Sequence, residues 1–97
     1  MSVALDSLLV RTPNVCGGRL RLEGTRITVD RIATLYKQGL SAEDISQTYP
    51  HLSMGQIYAA LAYYHENHDE IEAVLASERA LFYELAKQQK ESRNVAT

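Results

Sequence analysis

The sequence lacks the marks of an exported or membrane-spanning protein. Its 97 residues include one cysteine, Cys16, so an internal disulfide is impossible. No apolar stretch approaches the roughly eighteen residues that a membrane-spanning helix needs. The N-terminus also lacks the basic and apolar regions of a signal peptide. We therefore expect a soluble protein in the cytoplasm, with no membrane contact.

Basic residues are missing from the middle of the chain. Between Gln38 and Glu78 there is no Lys or Arg, whereas seven acidic residues occur there. Residues 1–37 carry six bases and three acids, a net charge of +3, and residues 38–97 carry four bases and nine acids, a net charge of −5. Affinity for nucleic acid comes largely from Lys and Arg side chains that contact the phosphates. If this protein binds nucleic acid, we therefore expect the N-terminal third to make those contacts.

The amount of apolar sequence fits one small domain. Hydrophobic residues make up 45% of the chain, which is enough for one modest core but not for two, so residues 1–97 are expected to form a single unit. A unit of this size buries a limited share of its surface, and pairing with a second copy is a natural way to gain stability. We therefore expect a homodimer.

Short β segments are predicted over residues 8–29. Residues 8–11 are predicted to form a strand that stops before a proline. The alternation of apolar and polar residues over 19–29 predicts a small hairpin, in which Ile27 and Val29 face the core.

Three short helices are predicted over residues 30–64. Gly39 is suited to end the first helix, and Ser41 to cap the second. The third starts after Ser53, which can form a capping box with Gln56. Three capped helices with tight connections are the layout of a helix-turn-helix unit, and equally of an ordinary three-helix bundle. The predicted bounds are Asp30–Gln38, Ala42–Tyr49 and Met54–Tyr64.

A longer C-terminal helix is predicted over residues 67–90, before a polar tail at 91–97 in which fraying is expected from Gln88 onward. Its apolar stripe is two-sided enough to need a partner. The stripe consists of Ile71, Leu75, Glu78, Phe82 and Leu85, flanked by Val74 and Leu81. The predicted fold is therefore mainly α, with short N-terminal β segments, a helix-turn-helix-like three-helix core and a long C-terminal helix.

Five sequence blocks, taken in order, resemble a known prokaryotic family. They are Asn14–Gly18 (NVCGG), Glu23–Val29 (EGTRITV), Gly39–Ile45 (GLSAEDI), Tyr49–Ser53 (YPHLS) and Ile57–Tyr64 (IYAALAYY). Together they resemble domain of unknown function 433 over roughly residues 8–75. The resemblance implies a helix-turn-helix module, usually dimeric, whose members include VapB-type antitoxins that accompany PIN-domain ribonuclease toxins.

Promoter DNA is one candidate partner. Arginines lie on the outward face of the proposed hairpin and at the start of the first helix, where a dimer would double them into a basic stripe. In the third helix, only Gln56 is well suited to reading bases. The alternative is a solvated face that pairs with Glu23 and Asp30, while Arg26 could instead bind carbonyls of its own loop. The candidate DNA-binding residues are Arg19, Arg21, Arg26, Arg31 and Gln56.

A PIN-domain ribonuclease is the second candidate partner, through the resemblance. Such enzymes hold a metal ion with carboxylates, and an inhibitor can block the pocket with a cation. The last quarter of the chain offers cations beside apolar residues that could anchor a helix in a groove. The alternative is a dimerisation helix with a solvated tail. The candidate partner-binding residues are Arg79, Leu81, Phe82, Leu85, Lys87, Lys90 and Arg93.

Catalytic and metal-binding patterns have little support. His65 and His68 are three residues apart rather than the four of the HExxH zinc motif, and no third ligand is evident nearby. Cys16 has no histidine nearby in sequence to activate it. We therefore expect a binding protein without catalytic residues, metal or cofactor. An antitoxin-like module is the first hypothesis, and a DNA-binding regulator without a toxin or a self-associating scaffold are the alternatives.

Overall fold

The computed structural model describes residues 7–95, with side chains as far as residue 90. The mainly α fold predicted from the sequence is confirmed, with a short antiparallel β pair before four helices. None of the helices in the described range is long and apolar enough to cross a membrane. The strands and α-helices are β1 (Leu9–Val10), β2 (Arg21–Leu22), α1 (Val29–Lys37), α2 (Ala42–Thr48), α3 (Met54–Glu66) and α4 (His68–Val95), and a single 3-10 turn at Cys16–Gly18 lies between the strands.

The strands of the β pair differ from those of the predicted hairpin. β2 pairs antiparallel with β1, from much earlier in the chain. The predicted hairpin over 19–29 is reduced to one bridge, between Arg21 and Thr28. Two backbone hydrogen bonds flank this bridge, from the Leu22 N–H to the Ile27 carbonyl at 2.8 Å and from the Val29 N–H to the Leu20 carbonyl at 3.0 Å. The pairing ends there because α1 begins at Val29.

Local side-chain signals set the helix ends near their predicted positions. The Ser41 hydroxyl caps α2 by accepting from the Asp44 N–H at 3.1 Å. The Ser53 hydroxyl accepts from the Gln56 N–H at 3.1 Å, and the Gln56 side chain accepts from the Ser53 N–H. These two hydrogen bonds confirm the predicted capping box of α3. At the end of α1, Gly39 has a φ of +100°, a conformation that side-chain-bearing residues rarely adopt.

α4 is longer than predicted. It starts at His68 and continues to Val95, so the tail that was expected to fray from Gln88 is helical as far as the structure describes it. Residues 96 and 97 of that tail lie outside the described residues. The sequence from 80 to 95 contains neither Gly nor Pro and is rich in Ala, Leu, Glu, Lys and Gln, all good helix formers, which explains the continuation.

The core lies between α1, α2, α3 and the first two turns of α4. Ile71 and Leu75 are the last buried side chains on α4 among the described residues, and every side chain from Arg79 to Lys90 is exposed. We call residues 8–78 the head and residues 79–95 the projecting segment. The molecule measures 64 Å in its longest dimension and 30 and 26 Å in the others. The largest wholly buried side chains are Leu22, Val29, Ile32, Ile45 and Ile57.

Glu72 ties α4 to α1 and α3 by two polar contacts. Its carboxylate lies 2.7 Å from the Lys37 ammonium of α1 and accepts a 2.6 Å hydrogen bond from the Tyr64 hydroxyl of α3. Lys37, and after it Tyr64, hold the pKa of Glu72 below its usual value. The same hydrogen bond raises the pKa of Tyr64 to about 12.

The Glu72 contacts predict a loss of stability in acid. A carboxyl whose pKa is lowered by folding stabilises the fold above its unfolded pKa, and this contribution is lost as the pH falls through the folded pKa. The Tm of the unaltered protein should therefore exceed that of Glu72→Gln at neutral pH, and the gap should close as the pH falls below 4.5, the ordinary value. Circular dichroism melts across pH measure this. Glu84→Gln, on the projecting segment, is the control, and a gap independent of pH would contradict the assignment.

Candidate functional site

The structure reverses the roles that the sequence suggested for Arg21 and Arg26. The Arg21 guanidinium is half-buried and donates to the Thr25 carbonyl and the Thr12 hydroxyl, both at 2.8 Å. This is the loop-binding role that was considered for Arg26. The Arg26 side chain is exposed and makes no hydrogen bond or ion pair with the described residues, while its carbonyl accepts from the Cys16 thiol at 3.3 Å. Arg26 is therefore the free cation of this pair.

The other two candidate arginines are partly engaged. Arg19 forms an ion pair with Glu78 of α4 at 2.5 Å. This pair crosses from the β segments to the C-terminal helix, whereas Glu23 and Asp30 were the partners considered from the sequence. The Arg31 Nε donates to the Tyr49 hydroxyl at 3.2 Å and the residue is exposed.

A cavity of about 260 Å³ lies between the β segments and α4, where Arg11 and Arg19 approach Asp30 and Glu70. Burial, and after it the nearby Glu78, raise the pKa of Asp30, and the two arginines oppose that shift. Because acids and bases are mixed there, the cavity favours neither an anion nor a cation.

Gln56 is engaged within the molecule at both ends of its amide. Its Oε1 accepts from the Ser53 N–H at 3.0 Å, and its Nε2 donates to the Glu23 carbonyl at 2.9 Å. Farther along α3, the exposed Tyr58 hydroxyl lies 3.5 Å from a carboxylate oxygen of Glu43. The first turn of α3 is therefore held against the β2 turn, and an acid from α2 lies beside its next turn.

His65 and His68 pack among tyrosines at the junction of α3 and α4. The His65 ring lies 5.4 Å from the ring of Tyr36, and the His68 ring lies 5.4 Å from that of Tyr64. Within residues 7–90, no three His, Cys, Asp or Glu side chains come together as a group that could hold a metal ion.

The projecting segment has one apolar face. Leu81, Phe82 and Leu85 lie on it, with 60%, 67% and 55% of their surface exposed. Because they are one, three and four residues apart, they lie on one side of α4. The buried Ile71 and Leu75 lie on the same side, nearer the N-terminus of the helix. The apolar stripe predicted from the sequence is thus covered by the head in its first half and bare in its second.

The opposite face of the projecting segment is basic. Arg79, Tyr83, Lys87 and Lys90 follow one another at intervals of four, four and three residues, which places them in a single row. The sequence reading missed Tyr83, which is 65% exposed, although the four-residue spacing from Arg79 could have revealed it. Arg93, the last predicted partner residue, has a side chain that lies outside the described residues. The candidate functional site is therefore this two-faced helix.

The two arginine environments predict different effects on stability. Arg21→Ala should lower the free energy of unfolding by about 2 kcal/mol, because two hydrogen bonds from a half-buried charged group are lost. The matched control is Arg26→Ala, which removes an exposed side chain and should change stability by no more than about 0.5 kcal/mol. Urea denaturation followed by circular dichroism measures both. Equal effects would show that Arg21 is not the loop clamp.

Comparison with known proteins supplies the family. The family described as "Protein of unknown function (DUF433)" matches residues 9–64, from β1 almost to the end of α3. A crystal structure of a DUF433 member protein from Anabaena variabilis is similar, at 33% sequence identity and a TM-score of 0.67, and the match covers 74% of this chain and 71% of that one. No curated protein matches the chain. The matched region is more than half of the sequence, and the chain belongs to the DUF433 family.

Proposed function

We propose that the chain is an antitoxin-like binding protein that neutralises a PIN-domain ribonuclease through the projecting segment. The observation that carries this proposal is the exposure of every described side chain from Arg79 to Lys90, on a helix that the head no longer supports. Large exposed apolar residues on an amphipathic helix are typical of a surface that docks into a groove of another protein. The role is binding without catalysis, and the protein would act in the cytoplasm beside its toxin.

Charge supports an acidic partner. The basic row of Arg79, Lys87 and Lys90 extends over twelve residues, or about 16 Å of helix, with Tyr83 inside it. The acidic Glu84 lies outside this row. PIN-domain ribonucleases hold their metal with clustered carboxylates, and a row of cations is attracted to such a site.

The basic row gives the test of this proposal. Coexpression with a PIN-domain protein encoded beside it should yield a stable complex in which RNA cleavage is inhibited. Changing Arg79, Lys87 and Lys90 together to Ala should weaken the complex at least tenfold, a loss of about 1.4 kcal/mol. Calorimetric titration and an RNA cleavage assay provide the two measurements.

The matched control is Arg26→Ala, which removes one cation from the head and should leave the toxin complex unchanged. Truncation after Ala76 should abolish the complex. Separate migration of the full-length chain and its neighbour at micromolar concentration would rule out the antitoxin role.

A second candidate function is binding of promoter DNA, favoured by the free guanidinium of Arg26. Arg31 lies nearby in sequence at the first turn of α1, with one contact to a tyrosine hydroxyl. Arg19 and Arg21 have partners within the head, so we expect them to contribute less to DNA binding than the sequence suggested. If α2 and α3 act as a helix-turn-helix, Gln56 must first release the Glu23 carbonyl to read a base.

The DNA hypothesis predicts a specific loss of phosphate contacts. Changing Arg26 and Arg31 to Ala should weaken the gel shift of the chain's own promoter fragment and reduce the salt dependence of the remaining binding, by a slope of about 0.9 for each phosphate contact removed. Arg19→Ala serves as the control and should retain the shift. The absence of any shift by the unaltered protein at low salt would exclude this function.

A further inference from the structure

We propose that the cavity between the β segments and α4 binds a free α-amino acid with an aliphatic side chain. The cavity combines donors for a carboxylate, an unpaired acceptor for an ammonium group and an apolar wall, and an aliphatic zwitterion uses all three. The proposal does not rest on toxin or DNA binding, because it involves neither the projecting segment nor Arg26.

The donors belong to Arg11 and Tyr63, which both line the cavity. Within the described residues, the exposed Arg11 guanidinium makes two long contacts, with the Gly18 carbonyl at 3.4 Å and the Tyr63 hydroxyl at 3.5 Å. A guanidinium carries five N–H groups in a planar fork that matches a carboxylate. The Tyr63 hydroxyl accepts from Arg11 and donates to no described residue, so its own hydrogen is available too. These two side chains can therefore hold one carboxylate.

The acceptor is the carboxylate of Asp30, at the first turn of α1. It is half-buried and forms no hydrogen bond or ion pair with any residue from 7 to 90, whereas the Asp30 carbonyl accepts from the Thr34 hydroxyl at 2.9 Å. Its raised pKa reflects burial first and the negative charge of Glu78 second. An ammonium group placed beside it would bring three N–H donors and the opposite charge.

The charges at the cavity select a zwitterion over a simple ion. Arg19 is already paired with Glu78. The groups that remain are one cation, Arg11, and two carboxylates, Asp30 and Glu70. A carboxylic acid alone would leave Asp30 without a partner, and an amine alone would leave Arg11 without one. An α-amino acid offers each of them a group of opposite charge.

The wall and the volume of the cavity limit the ligand's side chain. Four of the nine lining residues are aliphatic: Leu20, Val29, Ile71 and Val74. The volume of about 260 Å³ equals that of roughly nine water molecules, at about 30 Å³ each in the liquid. A ligand with on the order of nine nonhydrogen atoms fits this space, which suits leucine or valine and excludes a nucleotide.

Calorimetric titration of the full-length chain with free leucine tests the proposal. Leucine should bind with a Kd below about 1 mM. Leucinamide lacks the carboxylate and isocaproate lacks the ammonium group, so each should bind at least tenfold more weakly. Glutamate and lysine, whose charged side chains would meet the aliphatic wall, should also bind at least tenfold more weakly. Absence of leucine binding at about 10 mM, or equal binding of any of these four compounds, would overturn the proposal.

Two variants place the ligand in this cavity. Arg11→Gln and Asp30→Asn should each raise the Kd for leucine at least tenfold. The preference for leucine over leucinamide should be largely lost in Arg11→Gln, and the preference over isocaproate in Asp30→Asn. Glu66→Gln is the matched control, since this exposed carboxylate does not line the cavity, and it should bind leucine normally. Circular dichroism establishes that the variants are folded. Leucine binding that survives both cavity substitutions would contradict the assignment.

Discussion

The packing of Ile71 and Leu75 into the core formed with α1, α2 and α3 is the contact on which the rest of the molecule depends. These two side chains fix the direction of α4. In the same turns, Glu72 forms an ion pair with Lys37 and accepts a hydrogen bond from the Tyr64 hydroxyl, and both contacts hold the helix in place. No described side chain beyond Leu75 on α4 is buried, so the helix continues without support from the head. Because the first turns of α4 are buried and the rest of the helix is exposed and amphipathic, the projecting segment is available to other molecules.

The family match lies entirely within the head and does not include the projecting segment. The DUF433 match ends at residue 64, before α4 begins, so it covers the β pair and the first three helices. The head contributes the free guanidinium of Arg26, and the projecting segment contributes the apolar face and the basic row. Each proposed contact thus has a separate surface.

Several arginines hold the protein together and are therefore less available to a partner. Arg21 links the β2 turn to the segment before it, and Arg19 links the β segments to Glu78 of α4. The Arg19 pair is exposed and worth little to stability on its own, whereas the half-buried Arg21 contacts are worth more. A net positive charge in the N-terminal third does not by itself give a basic surface, because the positions of the partners decide which cations stay free.

The sequence by itself determined the features whose causes are local: four helices, their caps at Ser41 and Ser53, the end of α1 at Gly39, and the apolar stripe of α4. Each rests on residues within a turn of one another, so propensity and spacing are sufficient. Only the tertiary structure decided that β2 pairs with β1, that Arg21 and not Arg26 binds the loop, and that Gln56 holds the Glu23 carbonyl. The strand pairing and the Gln56 contact join residues that are distant in sequence. The choice between Arg21 and Arg26 depends on which of the two side chains points inward, and this is decided by the packing of the folded chain.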